Sequence, residues 1–170
     1  DRPPFEILRD SSLQGTYFFV NNLVAFDQTE LDALYNWAEN GNTVFIASRG
    51  HSRFLLDTFQ LEMNTAFLTD VIGTEPYLNL TNQGLKGDTP YHLDRDLTLR
   101  YFEEMDTLNQ RVLGLVEPYR EEEDFVEPEA NFLEISVGDG YFYLHNQPEV
   151  FSNYFLLNAP NEAYTEGVLS

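Results

Sequence analysis

The chain has no cysteine, so disulfides, thiolate metal sites and cysteine nucleophiles are excluded in one step. It has a single lysine, Lys86, and only 9 basic residues against 29 acidic ones, for a formal net charge of −20. A field of that sign repels phosphate backbones and anionic headgroups, so nucleic acid is not expected as a partner. No apolar run approaches the roughly 18 residues that a membrane-spanning helix needs. The sequence opens at Asp1 without methionine and stops at Val168-Leu169-Ser170, which points to a processed protein or an excised piece with any flanking membrane segment removed.

Aromatic residues are abundant instead. With 14 Phe, 10 Tyr and one Trp in 170 residues, the chain can bury a proper core, and residues 1–170 read as one domain. The acidic excess fits a solvated surface, and it also suits a protein kept in solution at high salt.

Tyr17 to Ser48 reads as strand, capped helix, strand. Thr16-Tyr17-Phe18-Phe19-Val20 is aromatic and β-branched without polar alternation, the pattern of a strand covered on both faces. Asp27 can cap the helix while Glu30 reaches back to the cap's own N–H, and Phe26 stands where it can staple onto Leu31. Leu31, Leu34, Tyr35 and Ala38 share one face. Gly41 supplies a left-handed stop, and Thr43-Val44-Phe45-Ile46-Ala47 is a second strand. A helix between two such strands favours a parallel crossover.

Ser48-Arg49-Gly50-His51-Ser52 follows that strand as a loop, where open α/β sheets place their ligands. Arg53 to Leu61 reads as a short helix with Phe54, Leu55, Thr58 and Phe59 available for burial. From about residue 65 to 130 the pattern shortens. Phe67 to Ile72, Tyr77 to Leu80, Tyr91 to Leu93, Leu97 to Phe102 and Arg111 to Val116 are apolar groups between turn residues, read as a strand-rich, acidic insertion. Its run Glu121-Glu122-Glu123-Asp124 lacks the alternating ligands and tight glycine of a calcium loop and reads as a solvated loop. Asn131 to Asn146 reads as a hairpin turning at Gly138-Asp139-Gly140, and Pro148 to Leu157 suits a helix.

Few residues carry a chemical signal. Gly138-Asp139-Gly140 lacks the third glycine of a dinucleotide fingerprint and opens no helix, so it is a turn. Ser48 and Ser52 flank His51 on a post-strand loop, the place where hydrolases of this build expose a nucleophile, but no Gly-x-Ser-x-Gly is present. His145 ends a later strand and can meet that loop in space. His51, His92 and His145 show no metal-binding spacing, and His92 with Asp94 and Asp96 reads as a polar turn. No metal or cofactor is expected.

Tyr17-Phe18-Phe19-Val20-Asn21-Asn22, Glu30-Leu31-Asp32-Ala33-Leu34, Glu39 through Ala47 and Leu55-Leu56-Asp57-Thr58 resemble the family called domain of unknown function 4350 of Bacteroidetes-type bacteria. Val137 through His145 and Phe151 through Leu157 resemble that family's last strand pair and helix, while Thr65 to Ala130 stays largely unmatched. The resemblance implies a three-layer, flavodoxin-like (class I glutamine amidotransferase-like) α/β fold. With it comes a mostly parallel sheet that carries the strand-rich insertion and a C-terminal β-hairpin. It also implies a membrane-anchored protein with the domain on the extracytoplasmic, periplasmic side, with envelope or membrane proteins as partners. Amidotransferase chemistry does not carry over, because its nucleophile is a cysteine.

Two functional readings follow. The first is a non-catalytic interaction or ligand-sensing domain of a bacterial envelope protein. The second is a hydrolase using Ser48 or Ser52 as nucleophile with His51 or His145 as base, which requires a serine–histidine hydrogen bond and a carboxylate behind it. A third, solute or cation binding through the acidic insertion, ranks last.

Overall fold

The structure is a computed structural model and describes Leu8 and residues 13–66, 75–106, 108–118 and 127–170. The expected strand Phe67 to Ile72 and the acidic run Glu121 to Asp124 lie outside these residues.

Strand β1 (Thr16–Val20), helix α1 (Gln28–Glu39) and strand β2 (Thr43–Ala47) form as expected. Both halves of the capping box are made: the Glu30 N–H donates to the Asp27 carboxylate at 2.9 Å, and the Asp27 N–H donates to Glu30 at 3.0 Å. Two orphan donors of the first turn are thereby satisfied locally. Gly41 follows the helix at φ 86°. Leu31, Leu34 and Ala38 are buried on the sheet as the spacing requires, and Trp37 joins them, while Tyr35 is only partly covered. Each fully buried leucine contributes about 1.5–3 kcal/mol.

Helix α2 (Arg53–Phe59) buries Leu55 and Phe59. Phe54 is 49% exposed and Thr58 faces solvent, donating its hydroxyl to the Phe54 carbonyl, so these two do not pack as expected.

The remaining strands are β3 (Glu62–Ala66), β4 (Tyr77–Leu80), β5 (Tyr91–His92), β6 (Leu99–Glu104), β7 (Gln110–Glu117), β8 (Glu129–Val137) and β9 (Gly140–His145). The expected hairpin is β8–β9. Gly138 takes a φ of 57° at its first loop position, a conformation glycine adopts without a Cβ penalty. After it, the single helix expected from Pro148 to Leu157 divides. A 3-10 turn (Pro148–Phe151) precedes α3 (Asn153–Leu156), with Ser152 between them as the cap of α3. Helix α4 (Asn161–Val168) closes the described chain.

The sheet runs β1-β2-β9-β8-β7-β4-β5, with β6 bridging β8 to β3. It is mixed, which corrects the mostly parallel sheet expected. Among the described strands, parallel pairing is confined to β1–β2 and β2–β9, continued by one isolated parallel bridge between Leu23 and Gly50. The β8–β9 turn reverses the chain, and every pairing from β9 outward through β8, β7, β4 and β5, as well as β8–β6–β3, is antiparallel. The reading of β1 as covered on both faces is also corrected. Among the described residues it pairs only with β2, and Phe18 and Val20 are 47% and 38% exposed.

Side-chain alternation divides the core into two layers. Val44, Ile46, Phe142, Leu144, Leu133 and Ile135 meet α1 and α2 on one face. Phe45, Ala47, Phe132, Leu78 and Val116 meet Val150, Phe155 and Tyr164 on the other. The result is three layers, helix, sheet, helix.

Candidate functional site

Strands β2 and β9 are parallel neighbours, so their C-terminal ends bring Ser48–Ser52 and His145–Gln147 to one edge. The Ser48 N–H extends the ladder by donating to the His145 carbonyl at 2.8 Å. This is the edge at which α/β sheets place ligands.

Each sequence-predicted residue is committed to a local bond there. The buried Ser48 hydroxyl donates to the Gly50 carbonyl at 2.7 Å. Ser52 caps α2, its Oγ accepting the Leu55 N–H at 3.3 Å. His51 Nε2 lies 3.1 Å from Asn146 Oδ1, and its ring stacks on Phe102 with centroids 6.1 Å apart. His145 is wholly buried: its Nδ1 accepts the Gln147 N–H at 3.0 Å, which leaves Nε2 to carry the proton, 3.0 Å from the Tyr164 hydroxyl. The edge brings both histidines and both serines close, but among the described residues no hydrogen bond joins a serine hydroxyl to a histidine ring. The histidines are backed by an amide and a phenol, where a relay needs a carboxylate.

Burial sets the electrostatics. It lowers the His145 pKa to about 3, with the neighbouring His51 acting in the same direction. His51 is lowered to about 4, chiefly by desolvation of its ring; the Asn146 bond opposes this and the Arg100 charge adds to it. Both rings are neutral at pH 7. Burial also pushes the Tyr164 hydroxyl well above its usual range, so it stays a phenol.

Sequence reasoning missed most of the cluster's other members. Asn131 stands in an irregular stretch between β7 and β8, where the register skips Leu113 on one strand and Asn131 on the other. Its side-chain amide donates to Gln147 Oε1 at 2.6 Å, and its backbone carbonyl accepts the Asn146 N–H at 2.9 Å. Gly114 leaves room for it, since a Cβ there would sit 2.9 Å from Asn131 Oδ1 and from Phe132 Cβ. Gln147 Nε2 reaches the Arg100 carbonyl at 3.1 Å, and Arg49 pairs with the buried Glu149. One signal was available: the polar Asn146-Gln147 directly after an apolar strand, at the position Ser48 takes after β2.

The cluster is closed and neutral at its centre. His92 lies apart, on β5, against Glu75 at 3.2 Å and the Tyr77 ring. Among the described residues, no three His, Asp or Glu side chains are grouped to hold a metal ion.

The profile of the family described as Domain of unknown function (DUF4350) matches residues 1–169. The chain belongs to the DUF4350 family. No curated protein matches it. Solved structures do. A putative ThuA-like protein from Bacteroides uniformis is 11% identical with a TM-score of 0.61, covering 98% of the DUF4350 chain and 71% of its own. An α-L-fucosidase isoenzyme 2 from Paenibacillus thiaminolyticus is 15% identical with a TM-score of 0.54, over 95% of this chain and 25% of that one. The exo-β-1,4-mannosidase Op5Man5 from Opitutaceae bacterium strain TAV5 is 13% identical with a TM-score of 0.53, over 94% and 25%. The DUF4350 chain therefore spans about a quarter of each glycosidase. At these identities the likeness concerns the fold alone, a class I glutamine amidotransferase-like α/β fold. Among the described residues, no helix is long and apolar enough to cross a membrane.

Proposed function

We propose that this DUF4350 chain is a non-catalytic interaction or ligand-sensing domain, carried extracytoplasmically by a membrane-anchored bacterial envelope protein. One observation carries the non-catalytic part. The sheet edge where an α/β enzyme would expose its nucleophile is a largely buried, hydrogen-bonded cluster, with His145 held at both ring nitrogens and each serine hydroxyl engaged by backbone. A nucleophile needs a base in hydrogen-bond reach and space for the reacting carbonyl, and this edge offers neither. The same fold also recurs as a part of larger chains, which suits a module that lends binding to a neighbour. The envelope placement follows from the family resemblance.

A fluorophosphonate probe tests the reading at Ser48 and Ser52. No covalent adduct at either serine, under conditions that label a serine hydrolase to completion, is the expected result. An adduct at Ser48 or Ser52 that disappears with Ser→Ala would overturn it in favour of the hydrolase. Fractionation of the full-length protein tests the placement: membrane recovery with protease access from the periplasm is expected, and recovery in the soluble cytoplasm contradicts it.

A further inference from the structure

Among the described residues, the helical layer on the β1–β2–β9 face covers its C-terminal end and leaves its other end open. Phe151 packs edge-on against both Phe18 and Phe45, and Tyr164 packs against His145. Beyond them a groove of about 680 Å³ lies over the half of the sheet that no described helix covers, walled by the 82–85 turn and the end of α4. That volume is ordinary for a small-ligand site.

The floor of the groove is one register row. Phe18 pairs with Phe45, Phe45 with Tyr143, Tyr143 with Glu134, and Glu134 with Arg111. Successive strands thus place an aromatic half and a hydrogen-bonding half side by side. Phe18 and Phe45 stack at 4.8 Å and 22°, and Phe45 and Tyr143 at 6.3 Å and 27°; Phe45, 4% exposed, is the buried middle of this row, so the half-exposed Phe18 and the part-buried Tyr143 are the rings that meet the groove. At the other half, Arg111 Nη2 meets the Glu134 carboxylate at 3.0 Å and the Tyr143 hydroxyl donates to it at 2.9 Å. These bonds fix the pair in place. The carboxylate keeps lone pairs, and the guanidinium, 68% exposed, keeps N–H donors beyond the one it has used.

The charge of this row decides what it suits. Glu134 is already matched by Arg111, so a cation finds no free carboxylate. An anion finds a guanidinium that is already paired, on a chain of net charge −20. What remains is a ligand with an apolar face for the rings and neutral hydroxyls for the fixed acceptors and donors. We propose that the groove over Phe18, Tyr143, Glu134 and Arg111 binds a neutral oligosaccharide, with an apolar sugar face against Phe18 and Tyr143 and its hydroxyls on the Arg111–Glu134 pair. The inference rests on the reading of this chain as a binding domain and names its site and ligand class.

The test is an amide NMR titration of the protein with cellotetraose, mannotetraose and tri-N-acetylchitotriose, with tetragalacturonate as the charged counterpart. Shifts clustered at β1, β2, β8 and β9 around the groove are expected for at least one neutral sugar, with a Kd of about 1 mM or tighter. Phe18→Ala and Arg111→Gln should each weaken that binding about tenfold with the fold intact, and Leu157→Ala, on the 84% exposed Leu157, should leave it unchanged. No shift with any neutral sugar would overturn the proposal, as would binding of tetragalacturonate alone, or shifts that both groove variants leave intact. The outcomes separate from the broader reading. Cleavage of a bound sugar would defeat the non-catalytic reading and leave the site standing, whereas absent binding without serine labelling would defeat the site alone.

Discussion

The two ends of the β1–β2–β9 face share strands and register, yet they treat polar groups in opposite ways. At the C-terminal end, His145, Asn146, Gln147 and Asn131 are all at most 3% exposed and bond to one another and to backbone. At the other end, Arg111, Glu134 and Tyr143 form an equally specific network that stays open to solvent along a groove. The difference lies in what covers them. The 3-10 turn and α3–α4 bury the C-terminal end and only border the groove, so a network of the same kind becomes a structural core at one end and an accessible surface at the other. Polar residues at the expected edge are therefore no sign of function by themselves, because a buried network whose members bond chiefly to one another and to backbone specifies the fold, even though His51 Nδ1, Asn131 Oδ1 and Asn146 Nδ2 are left without partners among the described residues.

The sharpest way to break the contrast is to open the sealed end. Tyr164→Ala removes a fully buried ring and the partner of His145 Nε2, and should cost about 3–5 kcal/mol in urea unfolding. A loss near zero would mean that the end is not packed as described.

Acid should act on the same end. The folded-state pKa values of His51 and His145 are lowered from 6.5 to about 4 and about 3. As pH falls below 6.5 the unfolded chain takes up these protons first. The unfolded state is then favoured, so stability falls between 6.5 and about 4 for His51 and about 3 for His145. Each ring contributes up to about 1.4 kcal/mol per pH unit in that window. Urea midpoints measured from pH 7 to pH 5 should show the decline, and a His51→Gln, His145→Gln double variant should flatten it.

Smaller changes sharpen the comparison. Gly114→Ala presses a Cβ to 2.9 Å from Asn131 Oδ1 and Phe132 Cβ, and should cost about 1–3 kcal/mol while disturbing amides of the sealed network more than those of the groove. Ser52→Ala, which removes a helix cap, should cost about 1 kcal/mol in the same unfolding assay.

The parts legible in the sequence were those fixed by near neighbours. The capping box of α1, the Gly41 stop and the Gly138 turn all depend on residues within a few positions, and each formed. The sheet's direction and edges were not legible. Thr16–Val20 and Thr43–Ala47 are similar apolar runs, and only long-range pairing makes one the edge and the other central. Likewise, nothing near β6 shows that it returns to β3 and touches β8 at Phe102 and Ala130. The Ser48–Ser52 loop was located correctly as the end of a parallel strand. The groups that meet it at that edge were not legible, because Tyr164, which bonds His145, arrives from α4 and Asn131, which bonds Gln147, from an irregular stretch of β8.

The contrast rests on His145 being sealed, and long-range 1H–15N NMR of the histidine rings measures this directly. The account predicts that His145 stays neutral, protonated at Nε2 alone, from pH 7 down to pH 5, consistent with a pKa lowered to about 3. A titration midpoint near the ordinary 6.5, or a mixture of tautomers at neutral pH, would show that this end of the sheet is open to water and would contradict it.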